Sequence, residues 1–381
     1  MKIFKHAKAD VANQATSFSS TQPVQSGSAS LRSAIKRSLI AAGLVAAVAA
    51  PAWSAELPDV VAQQSAATRL DPNAAAHAQW KAVMKQYSTP GEGCFHASYP
   101  NVSWEKVECS RGEPRAHTEH PQRTVDEAEV VGNGNDYVAY AKGLITSAAG
   151  IASIVKGVTS EKSVGVAAFG DGGILGANEY SLQMNTNDQE TTAACAGHSG
   201  CHVWQQYVYA TDYFVSPAHT AAIFIEYWLL DWGSSNCPSG WNKYGSDCWK
   251  NGSYGEVPDF GITELGDLEL SASATAGGTD SFVLYGPSDT YAISGSDSVL
   301  DISSVWNKAE FNVVGDAGGS EAVFSSGSTI RVTLGLADGS AGTPTCLANG
   351  GTTGETNNLS LGACSTWSLY GTGGIQFTES N

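Results

Sequence analysis

Three kinds of polar side chain stand on stretches that are otherwise apolar. Glu226 lies in AAIFIEYWLLDW, Glu310 in WNKAEFNVVG, and the neighbours Gln205 and Gln206 in HVWQQYVYA, flanked by Trp204, Tyr207 and Tyr209. A charged group on such a stretch must face water, find partners or sit in a pocket that raises its pKa. A carboxyl so raised serves as general acid or base near mildly acidic pH, and an amide beside it can donate to an oxyanion. Other chemistries lack their residues. There is no GxSxG nucleophile elbow and no HExxH pair of zinc ligands. HSGCH (198–202) brings two histidines close, but inside a short cysteine-closed loop that reads as a surface turn. GDAGGSEAVF (315–324) sets Asp316 and Glu321 around a Gly-rich turn. Two carboxylates are few for a calcium ion that takes six to eight oxygens, so a hairpin turn is expected there. No cofactor or metal is called for.

The elements that must carry these residues read as strands. DYVAYAKG, EYSLQMNTN, HVWQQYVYA, AAIFIEYWLLDW, LGDLELSASAT, DSFVLYG, TYAISG, KAEFNVVG and STIRVTLGL mostly alternate apolar and polar residues, with GG, SG, DG and NG turns between them. This pattern predicts an all-β fold, a two-sheet antiparallel sandwich over 129–381. The loop 231–260, with its own cysteine couple, reads as an elaboration on the rim. Before the sandwich, AAAHAQWKAVMKQY predicts a helix within 56–90, and CFHASYPNVSWEKVECSRGEPR a small disulfide-closed hairpin. An extended polar linker follows to 128. Residues 56–128 therefore read either as a pro-segment, making the chain a zymogen, or as a subdomain that stays attached.

Residues 1–55 read as an export signal. Six basic residues precede or flank LIAAGLVAAVAA, and the small residues of PAWSA follow. The apolar run is shorter than the roughly 20 residues a membrane span needs. Removing 1–55 leaves 14 Lys and Arg against 36 Asp and Glu, a net charge of −22. Such a chain repels nucleic acid and anionic membranes, so neither is expected as a partner. The eight cysteines all follow the signal, an even count that reads as disulfides in a secreted, extracellular or periplasmic chain. They fall into four local couples, predicting bonds 94–109, 195–201, 237–248 and 346–364. A zinc site is not expected, because no CxxC couple is present.

In chain order, EYSLQMNTN, WQQYVYA, FIEYWLLDW and KAEFNVVGD resemble the eqolisin family of glutamic peptidases, of the scytalidoglutamic type. The whole chain, from GCFHASYP to FTESN, resembles a group of exported bacterial proteins. The peptidase resemblance implies a concanavalin-like jelly roll, a pro-segment and acid-active endopeptidase chemistry on protein or peptide substrates. It implies that Gln205 is the catalytic glutamine, with Gln206 as the alternative register. It implies Glu310 as the catalytic glutamate, activating water and then protonating the leaving amine, and Glu226 as the supporting glutamate. The competing expectation is a glycan-binding, lectin-like sandwich without catalysis, using Trp232, Trp241, Tyr244, Trp249 and Tyr254 to stack on sugar rings. A glycoside hydrolase with two carboxyls some 5–9.5 Å apart is a third. Whether the Gln and both Glu residues share one concave face separates these readings.

Overall fold

The alternating segments pair into two large antiparallel sheets that pack face to face. The computed structural model describes residues 73–115, 136–166, 172–233, 235–340, 342–348, 352–369 and 372–381. The expected export segment over 1–55, the stretch up to 72 and the linker 116–135, where the expected 128/129 boundary falls, lie outside the described residues.

The sheet that carries the candidate residues, here the front sheet, has nine strands. Its order is Asn242–Tyr244, Asp247–Asn251, Thr220–Leu230, His202–Ala210, Tyr180–Asn185, Lys308–Gly315, Tyr137–Tyr140 and Thr345–Ala348, and Gly255–Pro258 also pairs with Thr220–Leu230. The back sheet has ten strands and is centred on Thr279–Tyr285, Glu269–Ala274, Ser147–Lys156, Thr329–Ala337 and Thr372–Ser380. Strand periodicity sends alternate residues to opposite faces. Leu182, Met184, Tyr207, Ile225 and Phe311 of the front sheet therefore meet Leu270, Phe282, Leu284, Leu334 and Ile375 of the back sheet in one buried core. This is the all-β sandwich expected from the sequence.

Two long strands of the back sheet, Ser147–Lys156 and Thr372–Ser380, were not evident from alternation. Ser147–Lys156 is rich in Ala and Gly because the sheets approach closely there. A Cβ on Gly150 would lie 2.2 Å from the Phe311 ring. A smaller four-stranded sheet joins Thr356–Asn357, Ser320–Phe324, Glu161–Gly165 and Gly176–Ala177. It is tied to the front sheet where Asn357 Nδ2 donates to the Val313 carbonyl at 3.0 Å.

The four disulfides are Cys94–Cys109, Cys195–Cys201, Cys237–Cys248 and Cys346–Cys364, as the spacing predicts. They fit an oxidising compartment. No helix among the described residues is long and apolar enough to cross a membrane.

The segment before the linker is built into the sandwich edge. Helix Ala74–Met84 buries Trp80 and Met84 against Ala97 and Tyr285. Strand Gly93–Ser98 pairs residue for residue with Asp289–Ser296, from Gly93↔Ser294 to Ser98↔Asp289. The 231–260 loop does more than decorate a rim, since its three short strands extend the front sheet beside Thr220–Leu230.

Candidate active site

The outer face of the front sheet is polar yet buried, which is unusual because buried polar groups must find partners. Register fixes its composition. Glu226 pairs with Gln206, Gln206 with Asn185, and Asn185 with Glu310, so these four side chains form one row across four strands. The row below reads Phe224, Val208, Gln183 and Asn312. Directly opposed side chains have Cβ atoms about 4.5–5.5 Å apart, so Glu226 and Gln206 are immediate neighbours. Glu310 stands two strands from Gln206, about 10 Å away at ordinary strand spacing.

The amides of the two rows are linked. Gln206 Nε2 donates to Gln183 Oε1 at 3.2 Å and to Asn185 Oδ1 at 3.3 Å. Gln183 Nε2 donates to Ser181 Oγ at 3.1 Å and reaches Glu355 Oε2 at 3.5 Å. Beside them, Trp228 Nε1 donates to Glu226 Oε1 at 2.6 Å. A shallow groove, partly open to solvent, lies on this face. Glu226, Gln206, Gln183, Glu355 and Asp316 supply its polar lining, while Tyr213, Phe224 and Val208 supply an apolar wall.

Gln205 is not part of this face. It points between the sheets, where its Nε2 donates to Tyr207 Oη at 2.8 Å and to Asp280 Oδ2 at 2.9 Å. Adjacent residues on a strand face opposite ways, so the Gln that shares a face with Glu226 and Glu310 is Gln206. Gln205, expected from the resemblance as the catalytic amide, thus lies on the opposite face from Glu226 and Glu310, and Gln206, the alternative register, lies on theirs.

Glu310 lies on the right face but outside the groove lining. Its Oε2 accepts from Thr352 N at 2.8 Å and Thr352 Oγ1 at 3.0 Å, and its carboxyl is 2 % exposed. Trp204 Nε1 in turn donates to Thr352 Oγ1 at 3.1 Å. Thr352 begins a buried run, Thr352, Thr353, Glu355, Thr356 and Asn357, that lies over the strands within the span closed by Cys346–Cys364. Burial lifts the Glu310 carboxyl to about 7, against the pull of the two Thr352 donors and with Asp188 adding to the rise. Behind it lie two more buried carboxyls. Asp136 is pushed up by burial and by Glu310, and Glu379 by burial to about 8. The Asn312 and Asn357 amides bond Glu379 Oε2 at 3.5 and 3.3 Å.

Asp316, read from sequence only as part of a turn, lines the groove. It is 1 % exposed, and its Oδ2 has no hydrogen-bond partner among the described residues. Burial, then Glu179, Glu355 and Glu161, drive its carboxyl well above the usual range. Glu321 stands on the half-exposed face of Ser320–Phe324 and does not join it. Glu355, in GGTTGETNN, had no strand pattern to single it out. A carboxyl inside a Gly/Thr loop closed by a disulfide is the signal that marks it.

The aromatic residues offered for glycan stacking have partners within the protein. Trp249 stacks on Trp228, and Tyr244 meets Trp228 edge-on. Tyr254 packs among Tyr213, Phe214 and Phe224, the Lys250 ammonium lies over Trp241, and Trp232 stacks on His198.

No family model and no curated protein matches the chain. Among solved structures it is similar to scytalido-glutamic peptidase, crystallised with a transition state analog inhibitor, at 9 % identity and a TM-score of 0.23. That match covers 63 % of this chain and 96 % of the peptidase chain. At that level of likeness the fold rests on the sheets described above, and function on the groove alone.

Proposed function

We propose that the chain is a secreted, acid-active endopeptidase that hydrolyses peptide bonds in this groove with a Glu/Gln pair. The observation that carries the reading is the direct cross-strand pairing of Glu226 with Gln206 in the groove lining. The Glu226 carboxylate takes a proton from water, and the oxygen attacks the scissile carbonyl carbon. Gln206 Nε2 gives up its 3.3 Å bond to Asn185 Oδ1 and donates that hydrogen to the oxyanion that develops. Its other hydrogen, given to Gln183 Oε1 at 3.2 Å, holds the amide in place. The proton on Glu226 then passes to the leaving amine as the C–N bond breaks, which restores the carboxylate. Asp316 keeps a protonated carboxyl in the same groove, and that form is favoured as pH falls. Glu310, the glutamate implied by the resemblance, takes a positioning role: it fastens Thr352 and with it the run that brings Glu355 to the groove.

The test is casein hydrolysis from pH 3 to 7 by the purified exported protein, beside Glu226→Gln, Gln206→Ala and Glu310→Gln. Cleavage at acid pH that drops at least a hundredfold in the first two variants supports the reading. A dead Glu310→Gln beside an active Glu226→Gln returns the water-activating role to Glu310. Absence of cleavage by folded protein at every pH refutes the peptidase.

A further inference from the structure

Among the described residues, the lower end of the groove is crowded with carboxyls and holds one guanidinium. Tyr213 and Asp316 line the groove there. Asp212, next to Tyr213, brings its carboxylate within 4.8 Å of the ligand atoms of Asp259 and His219. It accepts from His219 N at 2.6 Å, and its own N–H donates to Asp259 Oδ1 at 3.3 Å. Glu179 lies against it, 9 % exposed, with Oε2 lacking any hydrogen-bond partner among the described residues. Into this cluster comes Arg115, whose guanidinium pairs with Asp212 Oδ2. Burial pushes the carboxyls of Glu179 and Asp259 up, and the Arg115 charge opposes that rise at both.

The way Arg115 arrives is informative. Glu113–Pro114 pairs antiparallel with Phe214–Ser216, and Arg115 N donates to the Tyr213 carbonyl at 2.8 Å. Gly112 passes so close to the Phe214 ring that a Cβ there would lie 2.6 Å from it. An extended segment thus lies along a strand edge through its main chain and sends one basic side chain into an acidic site. Peptide ligands bind by strand addition in this manner.

We propose that the acidic end of the groove is a subsite for an arginine or lysine side chain of the substrate peptide, and that Arg115 is its resident occupant. The inference rests on the groove binding peptides as proposed above. A guanidinium suits the place better than a metal ion. Its planar donors match a carboxylate in fork geometry, and Arg115 already fills the position a cation would take at Asp212. A substrate carrying a basic residue displaces Arg115, whereas one with Gln there leaves Glu179 and Asp212 without a guanidinium.

The site is vacated by Arg115→Ala and, to keep the aliphatic stem packed, by Arg115→Gln. Each vacated protein is titrated at pH 6 with N-acetyl-arginine amide, N-acetyl-glutamine amide or calcium chloride, by calorimetry and thermal melting. Initial cleavage rates are then compared for peptide pairs that differ only in Arg or Gln at scanned positions. Arginine amide is expected to bind a vacated variant at least tenfold more tightly than glutamine amide, and to lose that advantage when Asp212→Asn is added. At one scanned position the Arg peptide should be cleaved at least tenfold faster. Equal binding of the two amides, or stabilisation by calcium in place of arginine, overturns the proposal. Cleavage without preference, together with no arginine binding, removes the subsite and leaves the peptidase standing. Arginine binding with no cleavage of any peptide removes the peptidase and leaves the subsite.

Discussion

Replacing Glu310 by Gln changes how stability depends on pH, by an amount that follows from the site. The carboxyl is 2 % exposed, and its pKa rises from 4.5 unfolded to about 7 folded, with burial the largest cause. A raised pKa means that the fold prefers the protonated group. Its contribution is complete below about pH 4.5, is lost as pH rises through 7, and is absent above that. At about 1.4 kcal/mol per pH unit, the loss from this residue is ~3 kcal/mol. Gln is nearly isosteric with the protonated acid, and its Oε1 still accepts from Thr352. The variant should match the parent near pH 4 and exceed its stability by ~3 kcal/mol near pH 8. For a chain of this size that is roughly a 6 °C difference in Tm. Calorimetry or urea unfolding every half unit from pH 4 to 8 checks it. Other buried carboxyls, among them Glu379, will tilt both curves downward with rising pH, so the quantity to read is the gap between the curves. A constant gap from pH 4 to 8, or a variant less stable at pH 8 than its parent, refutes the account of Glu310 as a buried, protonated carboxyl.

Gln205→Ala and Gln206→Ala, on adjacent residues, should part company. The first strands Asp280 and Tyr207 and should cost about 1–3 kcal/mol in urea unfolding while kcat of the folded protein holds; the second should lose activity with little change in stability. Breaking Cys346–Cys364 by a double Ser substitution should cost ~3 kcal/mol for a loop of that length. It should also raise hydrogen exchange at 352–357, the run that covers Glu310. Gly150→Ala, which drives a methyl into the Phe311 ring, should lower stability by roughly 1–3 kcal/mol through overpacking and be read as a fall in Tm.

The sandwich was legible because most strands have one apolar face, and alternation over segments such as DSFVLYG and TYAISG records that directly. The candidate carboxyls were legible for the same reason, since Glu226 and Glu310 interrupt apolar stretches. Parity within WQQY was not. His202–Ala210 is buried on both faces after its first residue, so no wet side marks which Gln belongs to which face. Only the register with Thr220–Leu230 and Tyr180–Asn185 separates them. Thr352 and Glu355 escaped because they reach the site through a loop whose path depends on contacts far away in sequence, as when Thr352 meets Glu310 across 42 residues. Asp316 was seen, but as a turn residue, because its burial comes from neighbours on other elements.

Strand Gly93–Ser98 has a consequence for what becomes of the segment before the linker. It satisfies the hydrogen-bonding groups along one side of Asp289–Ser296, which otherwise would end the run of central strands. Its disulfide, Cys94–Cys109, closes within the segment and does not bind it to the rest of the chain. If the segment were cut free and lost, Asp289–Ser296 would become a bare margin eight residues long, open to pairing with an extended chain, a second copy included. A processed form that stays monodisperse must therefore keep the segment seated as a separate, non-covalent strand.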